Sequence, residues 1–440
     1  MKKAFLLLFL LTTLLRSVWA AETSCQIVVA GSGAAGLAAA LFAGEAGADV
    51  ILLEATHQLG GNTTSGGVNF PGIFHAWGKQ IIDGPVWKLI EECVELDGGK
   101  MPDFSIVPDR HWKHQVRINP ALFVLLAEEA LQKRNVKIRY YETPTALEPT
   151  PDGWIVRTAA MGENRVIRCR QIIDCTGNAA LCAMAGAERM REEETQPGTF
   201  NYFLTLDNEI KPTREQLAEW RKRAEEAVRK GELLPEDIRG NVWDAFSAER
   251  SSSFNYVFNA DNSTAESRTD TNLRGRAAAL RVLRFARSLP GLENARLAFF
   301  PPEVGVRETW RVRGEIVISC ADYTSGKVWD DSLAFAYYPV DLHVNASGVA
   351  PAQLTEGVLP TIPLRALLPA GVENMLAAGR CLSSDRLANS GLRVQGASMA
   401  GGQAAAAAAV IAVREGTSPR KASLQAMKTL LRELGAIVPE

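Results

Sequence analysis

The chain is 440 residues long, 47% hydrophobic and 22% charged, enough for two or three domains around a large core and ordinary for a globular protein. Its formal net charge is −2, and no basic tract or aromatic-interleaved patch argues for a nucleic-acid partner. Seven cysteines (25, 93, 169, 175, 182, 320 and 381) never form a CxxC, which excludes the usual metal and redox-pair spacings; no metal is expected, and most thiols are expected to be small buried apolar groups.

The chain opens with Lys2 and Lys3, then the apolar run AFLLLFLLTTLL, then RSVWAAE. A basic start, a short apolar core and small residues at Val18 and Ala20 predict a signal peptide over residues 1–20, cleaved near Ala20. The run is too short to cross a hydrocarbon core of roughly 30 Å as a helix. Arg16 is unusual within a leader, and membrane association is expected only if the segment stays uncleaved as an anchor. There is no twin-arginine pair, which implies export unfolded, cofactor uptake outside the cytoplasm and a periplasmic or extracellular location. An oxidising compartment would allow one or two disulfides, whose pairing spacing does not reveal.

Residues 26–55, QIVVAGSGAAGLAAALFAGEAGADVILLEA, read as strand, glycine turn, helix and strand. QIVVA has the apolar, β-branched character of a parallel strand buried on both faces, and the Ala-rich stretch after it is strongly helix-forming. Gly31 permits the tight turn, Gly33 lets a pyrophosphate approach the backbone, and Gly36 lets helix and strand pack closely. Ala34 and Ala35 open the helix, whose N–H groups and dipole face the phosphates. Glu54, followed by Ala55, falls at the tip of the second strand, where a carboxylate accepts from a ribose diol and disfavours a 2′-phosphate.

The stretch beyond Glu54 distinguishes NAD from FAD. The chain runs there into a loop containing Gly60, Gly61, Asn62, Thr63, Thr64 and Ser65, where a nicotinamide domain would proceed to another crossover helix. Backbone N–H groups and small hydroxyls in such a loop suit a longer ligand with a ribityl chain and an isoalloxazine ring. LLEA…LGG resembles the first half of the glutathione-reductase-type FAD fold. His75 and Trp77, just beyond, either line the flavin face or simply pack.

NPALFVLLAEEALQKRN (119–135) has helical apolar spacing and precedes the alternating strand VKIRYYE. The resemblance implies a backbone contact to the adenine at Val136. Residues 145–177 read as a β-meander with turns at Asp152-Gly153 and Gly162-Glu163, returning to the sheet through RQIIDCTG. Its end, with Thr176, Gly177 and Asn178, resembles the second FAD signature, Asn178 standing where the family often has Asp.

Segment 197–349 reads as an inserted α+β substrate or cap domain. It holds a charged helix (TREQLAEWRKRAEEAVRKGELL), a polar strand-like stretch and an amphipathic helix (TNLRGRAAALRVLRFARSLPG). Arg307, Glu308 and Arg311 lead into EIVISC, expected as a strand; their acid and bases are expected to pair structurally, with Arg307 also a candidate to hold substrate. His343 is a candidate general base, poised near neutral pH.

NMLAAG ends at Gly379-Arg380, and Arg393 and Val394 introduce the small-residue helix that continues QGASMAGGQAAAAAAVIAV. The start of that helix would point its dipole at the flavin pyrimidine edge, favouring the anionic reduced form. A C-terminal helix is expected within 419–440.

Segments such as FHAWGKQIIDGPVWKLIEE, EVGVRETWRVRGE and TIPLRALLP, together with the glycine motifs, resemble in order the family called FAD-dependent oxidoreductase, from residue 26 to about 415. The resemblance implies an α/β architecture: a Rossmann-like FAD-binding domain of glutathione-reductase type, discontinuous over 25–196 and 350–418, with the inserted domain between. It also implies an FAD-dependent enzyme moving a hydride between a small polar substrate and flavin N5, with an unidentified electron acceptor or donor. Alcohol or amine oxidation and C=C reduction all suit the candidate catalytic residues Arg307, His343 and Arg393. There is no second GxGxxG for bound NAD(P)H and no CxxxxC as in disulfide reductases. Trp310 departs from the family, which more often has a basic residue there. The alternative is a non-catalytic exported flavin carrier, which would need no substrate pocket.

Overall fold

A computed structural model describes residues 21–108, 111–238, 241–246, 253–343 and 353–440. The expected signal peptide lies outside the described residues.

Strand β1 (Ala21–Ser24) leads into β2 (Ile27–Ala30), helix α1 (Ala34–Glu45) and β3 (Val50–Glu54). Helices α2 (Pro85–Leu96) and α3 (Pro120–Lys133) come after them. Asn119 starts α3 where the sequence predicts it: its side chain accepts from the N–H groups of Ala121 and Leu122, and Pro120 occupies the first turn. Next come β4 (Lys137–Tyr140), β5 (Glu142–Thr150), β6 (Gly153–Ala160), β7 (Glu163–Cys169) and β8 (Gln171–Asp174). The middle of the chain supplies β9 (Gly198–Thr205), α4 (Arg214–Arg229), β10 (Ser253–Val257), α5 (Ala265–Arg287) and β11 (Arg296–Phe299). The C-terminal part returns with β12 (Met375–Ala377), α6 (Gln395–Glu415) and α7 (Leu424–Glu433).

A parallel sheet in the order β12-β8-β2-β3-β4 forms the centre, pairing Ile27 with Val50 and with Gln171. Every residue of β2 and β3 is buried because both faces are covered. Ile27, Val29, Val50 and Leu52 face the helix layer of α1, α3 and α6. Val28, Ala30, Ile51 and Leu53 face the meander side with Trp154, Val156 and Ile167. The meander strands β5, β6 and β7 are antiparallel, and β1 adds to β7 in parallel.

The Ala-rich helices α1 and α6 have no polar face, and each is buried nearly throughout. A Cβ on Gly402 of α6 would come within 2.2 Å of the Ala35 carbonyl oxygen, so small side chains are what let the two backbones touch. By length and composition α6 could cross a membrane, yet 94% of its apolar window is buried inside this fold. It is a core helix.

A third apolar cluster, around Phe200, Tyr202, Trp220 and Phe285, belongs to the antiparallel sheet β10-β9-β11 and to α4 and α5. One expectation fails here: EIVISC (315–320) forms no strand. Ser319 instead caps a short helix, Cys320–Ser325, through reciprocal bonds with Asp322 at 3.1 Å, and capping chemistry outweighs the apolar run.

Candidate functional site

The carboxyl ends of β2, β3 and β8 and the N-termini of α1 and α6 meet at one end of the central sheet. Gly31 has φ +88, and a Cβ there would meet the Cys175 carbonyl oxygen at 2.6 Å. On Gly36 it would meet the Gly31 carbonyl oxygen at 1.8 Å. Both positions are therefore set by close backbone approach. Gly33 differs: nothing lies within 4 Å of the place its Cβ would take. That open space lies before the start of α1, which Ala34 and Ala35 begin and no side chain caps. A dinucleotide pyrophosphate requires this combination of free N–H groups and room.

Glu54 is held at the strand tip by four donors. The Ser32 N–H and hydroxyl reach one carboxylate oxygen at 3.0 and 2.6 Å, and the Thr56 N–H and hydroxyl reach the other at 2.8 Å. The carboxylate is thus oriented before any ligand arrives, while Ala55 beside it is exposed. Val136 does not come to this end. It lies before β4, buried beside Gly44, and the residue that register places next to Glu54 is Tyr140, at the opposite end of that strand.

The glycine-rich loop ties the site together. Gly60 and Gly61 take positive φ, and Thr64 and Ser65 are fixed locally, Thr64 to the Leu59 carbonyl and Ser65 by Gln58 at 3.0 Å. Asn62 donates to the Val306 carbonyl at 2.7 Å and accepts from the Val306 N–H at 3.2 Å. The Thr63 hydroxyl donates to Gln395 at 2.6 Å. The loop thereby anchors the neighbours of Arg307 and of Arg393. Val394 precedes the first turn of α6 without capping it by side chain, leaving a second open helix N-terminus.

The turn after β8 is fixed from two sides. Asp174 accepts from the Thr176 N–H and hydroxyl at 3.1 and 2.7 Å. Arg380, after Gly379, donates to the Gly177 and Val306 carbonyls at 3.0 and 2.9 Å, and Thr309 donates to Gly177 and to the Asn178 side chain at 2.8 and 2.7 Å. Burial lowers the Arg380 pKa to about 10, which leaves it cationic at neutral pH. Arg380 bonds to protein oxygens and holds the Gly177–Asn178 turn against the segment that carries Arg307.

Arg307, His343 and Arg393 come together, with three residues that sequence reasoning did not assign. The His343 Nε2 lies 3.0 Å from the Asp341 carboxylate, and its Nδ1 lies 3.2 Å from the Tyr256 hydroxyl. The Arg307 guanidinium sits 5.1 Å from the centre of the Tyr256 ring and donates to the Pro197 carbonyl at 2.6 Å. Gln196 bridges the group: its side-chain oxygen accepts from the His343 N–H at 3.1 Å and from Arg393 at 3.3 Å. Arg393 also donates to the Asp341 carbonyl at 3.2 Å, and its Nε is buried without a partner among the described residues.

Burial alone would raise the Asp341 carboxyl, but the His343 hydrogen bond and the charges of Arg393 and Arg307 hold it at about 2. Burial lowers the His343 imidazole below its ordinary value, opposed by the Asp341 bond and aided by the two arginines. The pair at neutral pH is a carboxylate and a neutral imidazole, able to take up a proton.

The expected ion pair within RETWR is not formed. Glu308 binds Arg386 at 2.8 Å and Gln196 at 3.0 Å, while Arg311 binds Glu192 at 2.8 Å, because the extended segment turns its acid and base to different neighbours. Trp310 is held between Arg189 and Arg191, 4.5 and 4.8 Å from its ring centre. His75 stacks on Phe104 at 3.7 Å, and its pKa falls to about 4 through burial and then His114. With Trp77, Tyr337 and Ile73 it lines a separate cavity of about 240 Å³. Among the described residues no cluster of His, Cys, Asp and Glu could hold a metal ion.

The chain is similar to several solved structures. The anhydrotetracycline hydroxylase OxyS from Streptomyces rimosus shares 14% identity at a TM-score of 0.46, over 94% of this chain and 66% of that one. The p-nitrophenol 4-monooxygenase PnpA from Pseudomonas putida shares 13% at 0.41, over 93% and 84%. A geranylgeranyl bacteriochlorophyll reductase-like protein from Thermoplasma acidophilum shares 10% at 0.41, over 94% and 83%. The chain therefore spans just under two thirds of the length of the first of these. No curated protein matches it in sequence. The open face of Gly33, the two uncapped helix N-termini and the pre-oriented Glu54 fit FAD, and the family model for FAD dependent oxidoreductases matches residues 26–431, so the chain belongs to that family.

Proposed function

We propose that this enzyme moves a hydride between a small polar organic substrate and flavin N5, with a second redox partner completing the cycle. When bound, the cofactor supplies the two-electron chemistry. The chain's own residues supply the rest. Arg307 and Arg393 hold the substrate, and His343, kept neutral by burial and oriented by Asp341, exchanges its proton. The observation that carries this reading is the junction at Gln196, where His343 and Arg393 share one acceptor while the neighbours of Arg393 and Arg307 are bonded to the glycine-rich loop. A flavin carrier would need no such convergence of acid, base and guanidinium groups.

The same reading assigns the contacts to FAD. Gly31 through Gly36 and Glu54 serve the adenosine and pyrophosphate half, and Asn62 to Ser65, Gly177, Gly379 and Val394 the half nearer the ring. It treats the fold as glutathione-reductase type, with FAD-binding segments 25–196 and 350–418 and a substrate domain at 197–349. Cleavage near Ala20 and a location outside the cytoplasm belong to it as well, supported by the basic start and apolar run.

An anaerobic screen tests the chemistry. Purified holoprotein is mixed with alcohols, amines and hydroxy or amino acids, and photoreduced protein with unsaturated acceptors, while flavin absorbance is followed. Bleaching or reoxidation by one class, lost in His343→Asn at unchanged flavin content, is expected. No response to any class, with rapid FAD exchange, would sink the proposal.

A further inference from the structure

The hydrogen bonds that join Asp341, His343 and Tyr256 have a direction. The Asp341 carboxylate is ionised at neutral pH and can only accept, so the His343 Nε2 that lies 3.0 Å from it carries the ring proton. A neutral imidazole has one N–H, and burial, aided by the charges of Arg307 and Arg393 and opposed by Asp341, favours the neutral form here. Nδ1 is therefore a lone pair, and the Tyr256 hydroxyl 3.2 Å away is the donor. Both ring nitrogens are then engaged, and neither meets a substrate directly. The Tyr256 oxygen is different, because a hydroxyl keeps two acceptor lone pairs while it donates. Its mount is rigid: Tyr256 lies on β10 opposite Thr199 of β9, and Thr199 exchanges backbone bonds with Gly305 at 2.9 and 2.7 Å, two residues before Arg307. The phenol thus joins two parts of the site, its ring against the Arg307 guanidinium and its hydroxyl on the imidazole.

We propose that Tyr256 is the catalytic residue that meets the substrate's proton: its hydroxyl takes that proton while passing its own to His343 Nδ1, and Asp341 holds the imidazolium that results. When an alcohol or amine is oxidised, its C–H bond breaks and the hydride takes both electrons to the cofactor. Its O–H or N–H bond breaks as well, and that proton goes to the Tyr256 oxygen. A C=O or C=N bond forms, Tyr256 ends as the neutral phenol it was, and His343 has gained the one proton. Reduction of a substrate runs the same transfers backwards. His343 and Asp341 are positioning and relay groups that act through Tyr256. That Tyr256 acts on a substrate rests on the hydride-transfer reading, whereas the direction of the relay is measured without turnover.

The test has a spectroscopic arm and a kinetic arm. Holoprotein with isotopically labelled nitrogen in its five histidines shows by NMR which His343 nitrogen carries the proton, and His343→Asn supplies the assignment. A proton on Nε2 and a hydrogen-bonded Nδ1 are expected. In Tyr256→Phe the Nδ1 signal is expected to move toward that of a free lone pair, while Nε2 keeps its proton. The kinetic arm mixes each variant with the alcohols, amines and hydroxy or amino acids of the anaerobic screen. Tyr256→Phe is expected to slow flavin bleaching by about 10²-fold or more at unchanged flavin content and melting temperature. Combining Tyr256→Phe with His343→Asn is expected to leave the rate within about 3-fold of the slower single variant, because the two groups act in series; independent roles would multiply the losses. A proton on Nδ1, a Tyr256→Phe rate within about 3-fold of wild type, or multiplied losses overturns the proposal. If Tyr256→Phe fails to retain flavin, the wild-type spectra decide alone. Bleaching by one class with the proton on Nδ1 would leave the hydride reading standing and remove this inference. The expected direction with no bleaching by any class would remove the hydride reading and leave the relay.

Discussion

The glycine turn and the cluster around His343, proposed to hold nucleotide and substrate, are built from opposite materials. Around Gly31, Gly33 and Gly36 the determinants are backbone atoms and missing side chains, drawn from six consecutive residues. Around His343 they are side chains drawn from five separate stretches of chain, at Gln196, Tyr256, Arg307, Asp341–His343 and Arg393. A backbone cradle fails when something is added, because the space is already filled or reserved. A side-chain cluster fails when something is removed, because each group orients the next. The difference predicts which substitutions unfold the protein and which leave an intact but slow enzyme.

The largest effect is expected from Gly36→Val. Its Cβ would overlap the Gly31 carbonyl oxygen, so soluble holoprotein should be lost, a cost above about 4 kcal/mol. A wild-type melting curve for that variant would break the comparison at its first half. His343→Asn should cut the rate of substrate-driven flavin bleaching by about 10²- to 10⁴-fold while FAD content and melting temperature hold. The wild-type rate should also fall on acidification, because protonation removes the acceptor, with the midpoint displaced below the ordinary histidine value near 6.5.

Asp341 gives an intermediate effect of known sign. Its carboxyl is held at about 2 instead of 3.8, so the ionised form stabilises the fold above pH 3.8 and that contribution disappears between 3.8 and 2. The stability gap between wild type and Asp341→Asn, measured by denaturant titration, should therefore narrow by about 2 kcal/mol as pH drops from 6 to 2. Gly33→Ala sharpens the comparison from the other side. With nothing within 4 Å the apoprotein should fold normally, yet FAD should bind about 10-fold or more weakly by fluorescence titration. Smallest is Trp310→Leu, expected to cost about 1 kcal/mol through loss of the two stacked guanidiniums, with turnover unchanged.

The nucleotide end was legible because its signals are local. Glycine spacing, the strands on either side and the acid at position 54 all lie within about thirty residues, and each has a mechanical reason to be where it is. Val136, the adenine contact that the resemblance implies, lies at the far end of β4 from Glu54, whose register partner is Tyr140. EIVISC reads as a strand by composition, but Ser319 and Asp322 bond each other's backbone and start a helix. At the substrate end His343, Arg307 and Arg393 stood out as rare or clustered polar residues. Tyr256 and Gln196 carried no such mark, since only the tertiary fold brings residues 87 and 147 positions away to His343. Asp341, two residues from His343, was the one partner the spacing could have suggested.

The packing of α6 on α1 has a consequence for how the protein is made. The Ala35 carbonyl meets its partner Gly402 from the far end of the chain, so α1 emerges from the ribosome about 350 residues before the helix that covers it. At about 5–20 residues per second the uncovered interval is roughly 20–70 s. Throughout it, the face of α1 that α6 covers stays open although α2 and α3 already pack on that helix, and the cofactor lacks the second helix N-terminus at its site. A chain stopped before residue 395 is therefore expected to expose that face and to bind FAD weakly or not at all, as flavin absorbance of the purified fragment would read.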